Sequence, residues 1–148
     1  MFKNILVPVD GSPLSDAAVA RACAFAKEAG ARLTFYYAKP VGWAGYALGD
    51  VAIAQAAMDA ELIAAMDRQA EAILTDAARQ ATSAGVACDT LSTDSDTPHA
   101  GIIAAAEARG CDLIFMASHG RRGASALLLG SETQKVLTHC KIPVLVYR

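Results

Sequence analysis

The sequence predicts an α/β protein built on a mainly parallel sheet with helices on both faces. Three observations predict it. Short β-rich runs alternate with helical stretches along the whole chain, in the order βαβ, a loop, then αβαβαβ. Gly, Ser and Pro stand at the joints between the runs, where turns and helix starts need them. And 148 residues, 54% of them hydrophobic and 19% charged, suffice for one domain with a real core.

Lys3 to Val9, KNILVPV, reads as the first strand. It ends at Asp10-Gly11-Ser12-Pro13, where Ser12 can cap a helix and Pro13 suits its first position. Leu14, Ala18, Ala22, Phe25 and Ala29 then recur at helical spacing, and Gly30 supplies the stop. Arg32 to Ala38, RLTFYYA, is the second strand. A loop from Pro40 to Asp50 carries Trp43 and Tyr46, expected to pack locally or to cover a pocket or an oligomer surface.

A long helix follows over about 51–84, with Met58, Leu62, Met66, Ile73 and Ala77 as its expected buried face. Gly85 ends it, and Val86 to Thr93 makes a weaker, more polar third strand. Thr97-Pro98 opens another helix that runs to Arg109-Gly110. Cys111 to Ala117, CDLIFMA, is a strongly apolar fourth strand. Ser118 to Gly130 is a glycine-containing loop, basic at its start. Ser131 then opens a short helix, with Ser131 and Gln134 at capping-box spacing. Pro143 to Tyr147, PVLVY, closes the chain as the fifth strand.

Composition excludes several functions. A net charge of −2 and a pI near 5.9 give no broad electrostatic grip on nucleic acid or on anionic lipid. No run of large apolar residues is long enough to span a membrane. Met1-Phe2-Lys3-Asn4-Ile5 enters a strand with no signal-peptide pattern, so a cytoplasmic protein is expected. The four cysteines, Cys23, Cys88, Cys111 and Cys140, are scattered without metal or redox spacing and read as reduced packing residues.

In open parallel sheets, ligands sit beyond the strand C-termini where strand order reverses. If strands one and four are central neighbours, the loops Pro8–Ser12 and Ala117–Ser131 meet there. Gly120, Gly123 and Gly130-Ser131 form the sharpest group in that region. Glycines let backbone N–H groups approach an anion, Ser131 adds a hydroxyl, and the helix it opens points its positive end the same way. The pattern suits a polyphosphate, although turn-making alone also accounts for the glycines. Neither a P-loop nor a dinucleotide fingerprint is present.

VPVDGS after the first strand, MASHGRRGASALLLGSETQKVL and the closing PVLVYR together resemble the universal stress protein family, over essentially the whole chain in order. The ATP-binding branch of that family carries G-x2-G-x9-G-[ST]. Here Gly120, Gly130 and Ser131 match it, with Arg121 to Leu129 between, while Ala117 stands at the first glycine. The resemblance implies an open Rossmann-like sheet of five parallel strands in order 3-2-1-4-5. It also implies ATP between the first-strand loop and the glycine loop, and a homodimer through the C-terminal strand.

By the same resemblance Asp10 lies beside adenine and ribose, with Pro8 and Val9 on that edge and Ala38 against the base. Met116 and Ala117 take the ribose and phosphate edge, and Gly120, Gly130, Ser131 and Glu132 the phosphate cradle. His119 lies in the same loop, and Arg121 or Arg122 can reach phosphate oxygens. Asp10 can also serve as a helix-turn residue or hold magnesium through water; one carboxylate alone makes no metal site. Ser118-His119 resembles a nucleophile pair, but adjacent residues rarely aim at each other and no orienting carboxylate is evident, so no catalytic residue is expected. His99 and His139 read as structural.

The reading is therefore a dimeric, cytoplasmic stress-response module that binds ATP as a regulatory nucleotide. The alternatives are a slow ATPase using the same pocket and a nucleotide-independent dimeric stress protein, for which Ala117 is the only sequence support.

Overall fold

The computed structural model describes residues 1–41, 50–120 and 129–148. Nine elements follow in the expected order: β1 Asn4–Pro8, α1 Pro13–Ala29, β2 Arg32–Lys39, α2 Asp50–Ala84, β3 Cys88–Asp94, α3 Pro98–Ala108, β4 Leu113–Ala117, α4 Ser131–His139 and β5 Val144–Tyr147. The strands form one sheet in the order β3-β2-β1-β4-β5, and every pairing among the described residues is parallel. Trp43 and Tyr46 lie outside the described residues.

Strand alternation sorts the core into two layers. Ile5, Val7, Leu33, Phe35, Leu113 and Phe115 face one way and pack with α1 and α2. Leu6, Tyr36, Ile114 and Met116 face the other way and pack with α3 and α4. Ile5, Leu6, Leu33 and Ile114 have no exposed surface at all, and full burial of such side chains contributes roughly 1.5–3 kcal/mol each.

The start of α1 follows its sequence closely. Ser12 adopts an extended conformation, and its Oγ accepts from the Ser15 N–H at 3.2 Å, with Pro13 in the first turn. Gly30 ends the helix in the left-handed region at φ 64°. Ser12→Ala is expected to cost about 1 kcal/mol, the usual worth of such a cap. Thermal unfolding checks this, with a fall in Tm of about 2–4 °C for a chain of this size.

Two local expectations are corrected. Ala77 is buried and Ile73 packs on the core as expected, joined by Ala70, Leu74 and Ala81, whereas Leu62 is 49% exposed. Leu62 and its neighbour Ile63 lie on the helix before the part that packs on the sheet. Met58 lies where side chains are outside the described residues. The capping box at α4 does not form either. Gly130 is the N-cap residue and Ser131 the first helical residue, while Gln134 Nε2 donates to the Leu129 carbonyl at 2.8 Å. The N-cap falls on Gly130 because its N–H is drawn to the Ser118 carbonyl at 2.7 Å, which places the helix start one residue earlier.

Candidate functional site

The sheet opens at its centre. β1 pairs with β2 as far as Pro8↔Tyr36, but its ladder with β4 runs only over Ile5↔Leu113 and Leu6↔Ile114. Val9 N–H donates to the Tyr36 carbonyl on β2 at 2.8 Å, so alternation turns the Pro8 nitrogen toward β4. Proline has no hydrogen there to donate, and the two strands part beyond Leu6. The parting lies at the C-terminal edge, where strand order reverses.

The ends of three strands frame this opening. Pro8, Ala38 and Met116 follow Leu6, Tyr36 and Ile114 by two residues, so all three fall on the α3/α4 face. Val9 and Ala117 fall on the α1/α2 face. Met116 is buried and belongs mainly to the core, whereas Pro8, Ala38 and Ala117 are half-buried at the rim.

Asp10 closes the first loop. Its backbone N–H donates to Ser15 Oγ at 3.2 Å, and its Oδ1 accepts from the Ser12 N–H at 2.9 Å. Its Oδ2 lies so close to Gly120 that a Cβ on that glycine would run into it. The two loops expected to meet therefore do meet, at Asp10 and Gly120. Ser15 was not singled out from sequence, although its spacing from Ser12 marks a helix start.

The second loop folds back on itself. A Cβ on Gly130 would sit 3.0 Å from His119 Cα and 3.1 Å from the Ser118 carbonyl oxygen. Thr133 Oγ1 donates to the Ala117 carbonyl at 3.1 Å and ties α4 to the end of β4. Gly130 and Ser131 thus stand directly above the last residues of β4. Arg121, Arg122 and Gly123 lie outside the described residues.

Three helices, α1, α3 and α4, begin at this edge, and each helix start carries backbone donors without intrahelical acceptors. In α1, Ser12 takes one of them. In α3, whose Thr97 makes no side-chain cap, the His99 N–H donates to Glu132 Oε2 at 2.8 Å. In α4 the N-cap residue, Gly130, has no side chain with which to cap the first turn, and Ser131 is exposed.

Glu132 is thus turned toward α3. The same Oε2 lies 3.0 Å from His99 Nδ1, and Oε1 accepts from Lys135 Nζ at 2.8 Å. Partial burial alone would raise the carboxyl pKa, but the hydrogen bonds from Lys135, the His99 N–H and the His99 ring together lower it. The sign follows: the stabilisation is present at neutral pH and is lost as pH falls from the usual glutamate range through the lowered value. The His99 and His139 rings stand 6.0 Å apart, between centroids, beside this contact.

Ser118 and His119 do meet, with Oγ 3.2 Å from Nδ1, contrary to the expectation for adjacent residues. Ser118 is only 3% exposed, which keeps its hydroxyl from a ligand. All four cysteines are free thiols, and burial and the nearby Cys88 push Cys23 up to about 11, the behaviour of an inert packing thiol. Among the described residues no group of three His, Cys, Asp or Glu can hold a metal ion. None of their helices is long and apolar enough to cross a membrane.

Comparison with known proteins agrees with this architecture. The family model described as the universal stress protein family matches residues 1–148. The universal stress protein YxiE of Bacillus subtilis is 30% identical over 150 residues, covering 100% of both chains. The solved structure of MJ0577, a universal stress protein of Methanocaldococcus jannaschii, superposes with a TM-score of 0.80 at 25% identity, over 99% of this chain and 95% of that one. A universal stress protein solved in complex with cAMP gives a TM-score of 0.72 at 22% identity, over 99% of this chain and 97% of the other, a likeness of fold.

Proposed function

This chain belongs to the universal stress protein family, and on that premise we propose that it binds ATP as a regulatory nucleotide at the opening between β1 and β4. One observation carries the reading: α4 begins with Gly130 and an exposed Ser131, and it stands over the parted strand ends. A helix start offers N–H groups and a partial positive charge to a phosphate. Ser131 Oγ adds a further donor. A universal stress protein of the same fold was solved in complex with cAMP, which supports an adenine nucleotide as the ligand class.

In this reading Pro8 and Ala38 offer an apolar edge to the base, beside Val9, and the buried Met116 backs the ribose edge. Asp10 accepts a hydrogen bond from ribose or adenine. Ala117, Gly120, Gly130 and Ser131 leave room for the phosphates, with His119 and Arg121 alongside. Magnesium, when present, is held by phosphate oxygens and water, with Asp10 as the one nearby carboxylate in the first loop. The protein acts as a single-domain, cytoplasmic stress-response module that signals through its bound state. It pairs with a second copy through β5, an edge strand whose backbone is open on one side.

Calorimetric titration of nucleotide-free protein with ATP and magnesium tests the reading. Micromolar binding, weaker for AMP, is expected. A folded dimer that ignores ATP would instead be a nucleotide-independent module, with Ala117 as the first position to revert to glycine.

A further inference from the structure

The helix starts at the site are capped in different ways, and one of them is capped by another helix. The start of α3 is filled by Glu132, a first-turn residue of α4 that lies 33 positions from His99 in the chain. Its carboxylate occupies the place where an external anion would bind α3. It also fastens the first turn of α4 to the first turn of α3. Lys135 contributes little to this, because its pairing with Glu132 is a half-exposed contact within one helix.

We propose that Glu132 is a positioning residue for the nucleotide phosphates. By docking α4 on α3, it holds Ser131 and the neighbouring N–H groups toward the β1/β4 opening. By filling the start of α3, it leaves the start of α4 rather than that of α3 to the phosphates. The ligand side of this inference rests on the nucleotide reading above; the docking side does not.

The test compares Glu132→Ala with Glu132→Gln, which keeps an oxygen acceptor for the His99 N–H. ATP and adenosine are titrated into each, and exchange of the His99 and Gln134 amides is followed by NMR in the nucleotide-free protein. Glu132→Ala is expected to weaken ATP binding about tenfold, the scale of one lost hydrogen bond to a charged group, with adenosine affected less than twofold. Its His99 and Gln134 amides should exchange faster. Glu132→Gln should bring ATP affinity and exchange back to within about threefold of wild type.

Parallel loss of ATP and adenosine would overturn the proposal, since a general loss of folding moves both. A gain in ATP affinity in Glu132→Ala would also overturn it, because the carboxylate would then act only as a repelling charge. If the wild-type protein binds neither ligand, the nucleotide reading fails, and exchange alone decides the docking. Faster exchange in the alanine variant, restored by glutamine, supports it; unchanged exchange overturns it.

Discussion

Gly130→Val should lower ATP affinity by about 100-fold or more, close to 2.8 kcal/mol. The reason is steric and lies within the protein. A Cβ at Gly130 already stands 3.0 Å from His119 Cα, 3.1 Å from the Ser118 carbonyl oxygen and 3.2 Å from His119 Cβ. Two of those neighbours are backbone and cannot swing aside. The Gly130 N–H is also bonded to the Ser118 carbonyl at 2.7 Å. A branched side chain therefore levers the first turn of α4 away from the end of β4, besides filling space a phosphate would need. The glycine pattern by itself predicts that such a change blocks the phosphates and spares the fold; the geometry predicts local displacement of α4 as well. The two core layers do not depend on that contact, so the thermal transition should fall by only a few degrees. Calorimetry with ATP and circular dichroism on the same preparation check both halves. ATP affinity within threefold of wild type would disprove the proposed cradle.

Asp10→Ala should weaken adenosine and ATP by a common factor of about tenfold or more, as expected for a lost hydrogen bond to a charged acceptor. Inorganic tripolyphosphate should be unaffected. Asp10 is held from two sides, by the Ser12 N–H at 2.9 Å and by the close approach of Gly120. That clamp fixes the carboxylate at the junction of the two loops, where a sugar or base can donate to it. Gly120→Ala should reproduce the nucleoside defect from the other side, since the added methyl displaces Asp10. Competition titrations with the three ligands separate the outcomes. Equal losses for ATP and tripolyphosphate would contradict a nucleoside role for Asp10.

Much of this architecture is legible in the sequence. Ser12-Pro13 starts α1 and Gly30 ends it because capping and left-handed turns depend on a few neighbouring residues. The alternation of strands and helices leads to the parallel sheet because parallel neighbours require long crossovers. The glycine loop is legible as a candidate anion site from Gly120, Gly130 and Ser131, and its middle lies outside the described residues. What local reasoning misplaces is instructive. Leu62 fits the apolar stripe of α2 but lies past the sheet and stays exposed. Ser131 fits a capping box, but the Ser118 carbonyl draws in the Gly130 N–H and shifts the helix start by one residue.

By itself the sequence determines the order of elements, their limits to within a few residues, and the residue types that can meet a phosphate. These depend on interactions over one or two turns of chain, and periodicity and turn chemistry record them. Only the tertiary structure decides that Asp10 abuts Gly120, that Gly130 rests on Ser118 and His119, and that Glu132 caps α3 rather than facing the opening. Those contacts join segments distant in the chain. They are set by the burial of two faces of one sheet and by the proline that parts β1 from β4, which no local pattern encodes.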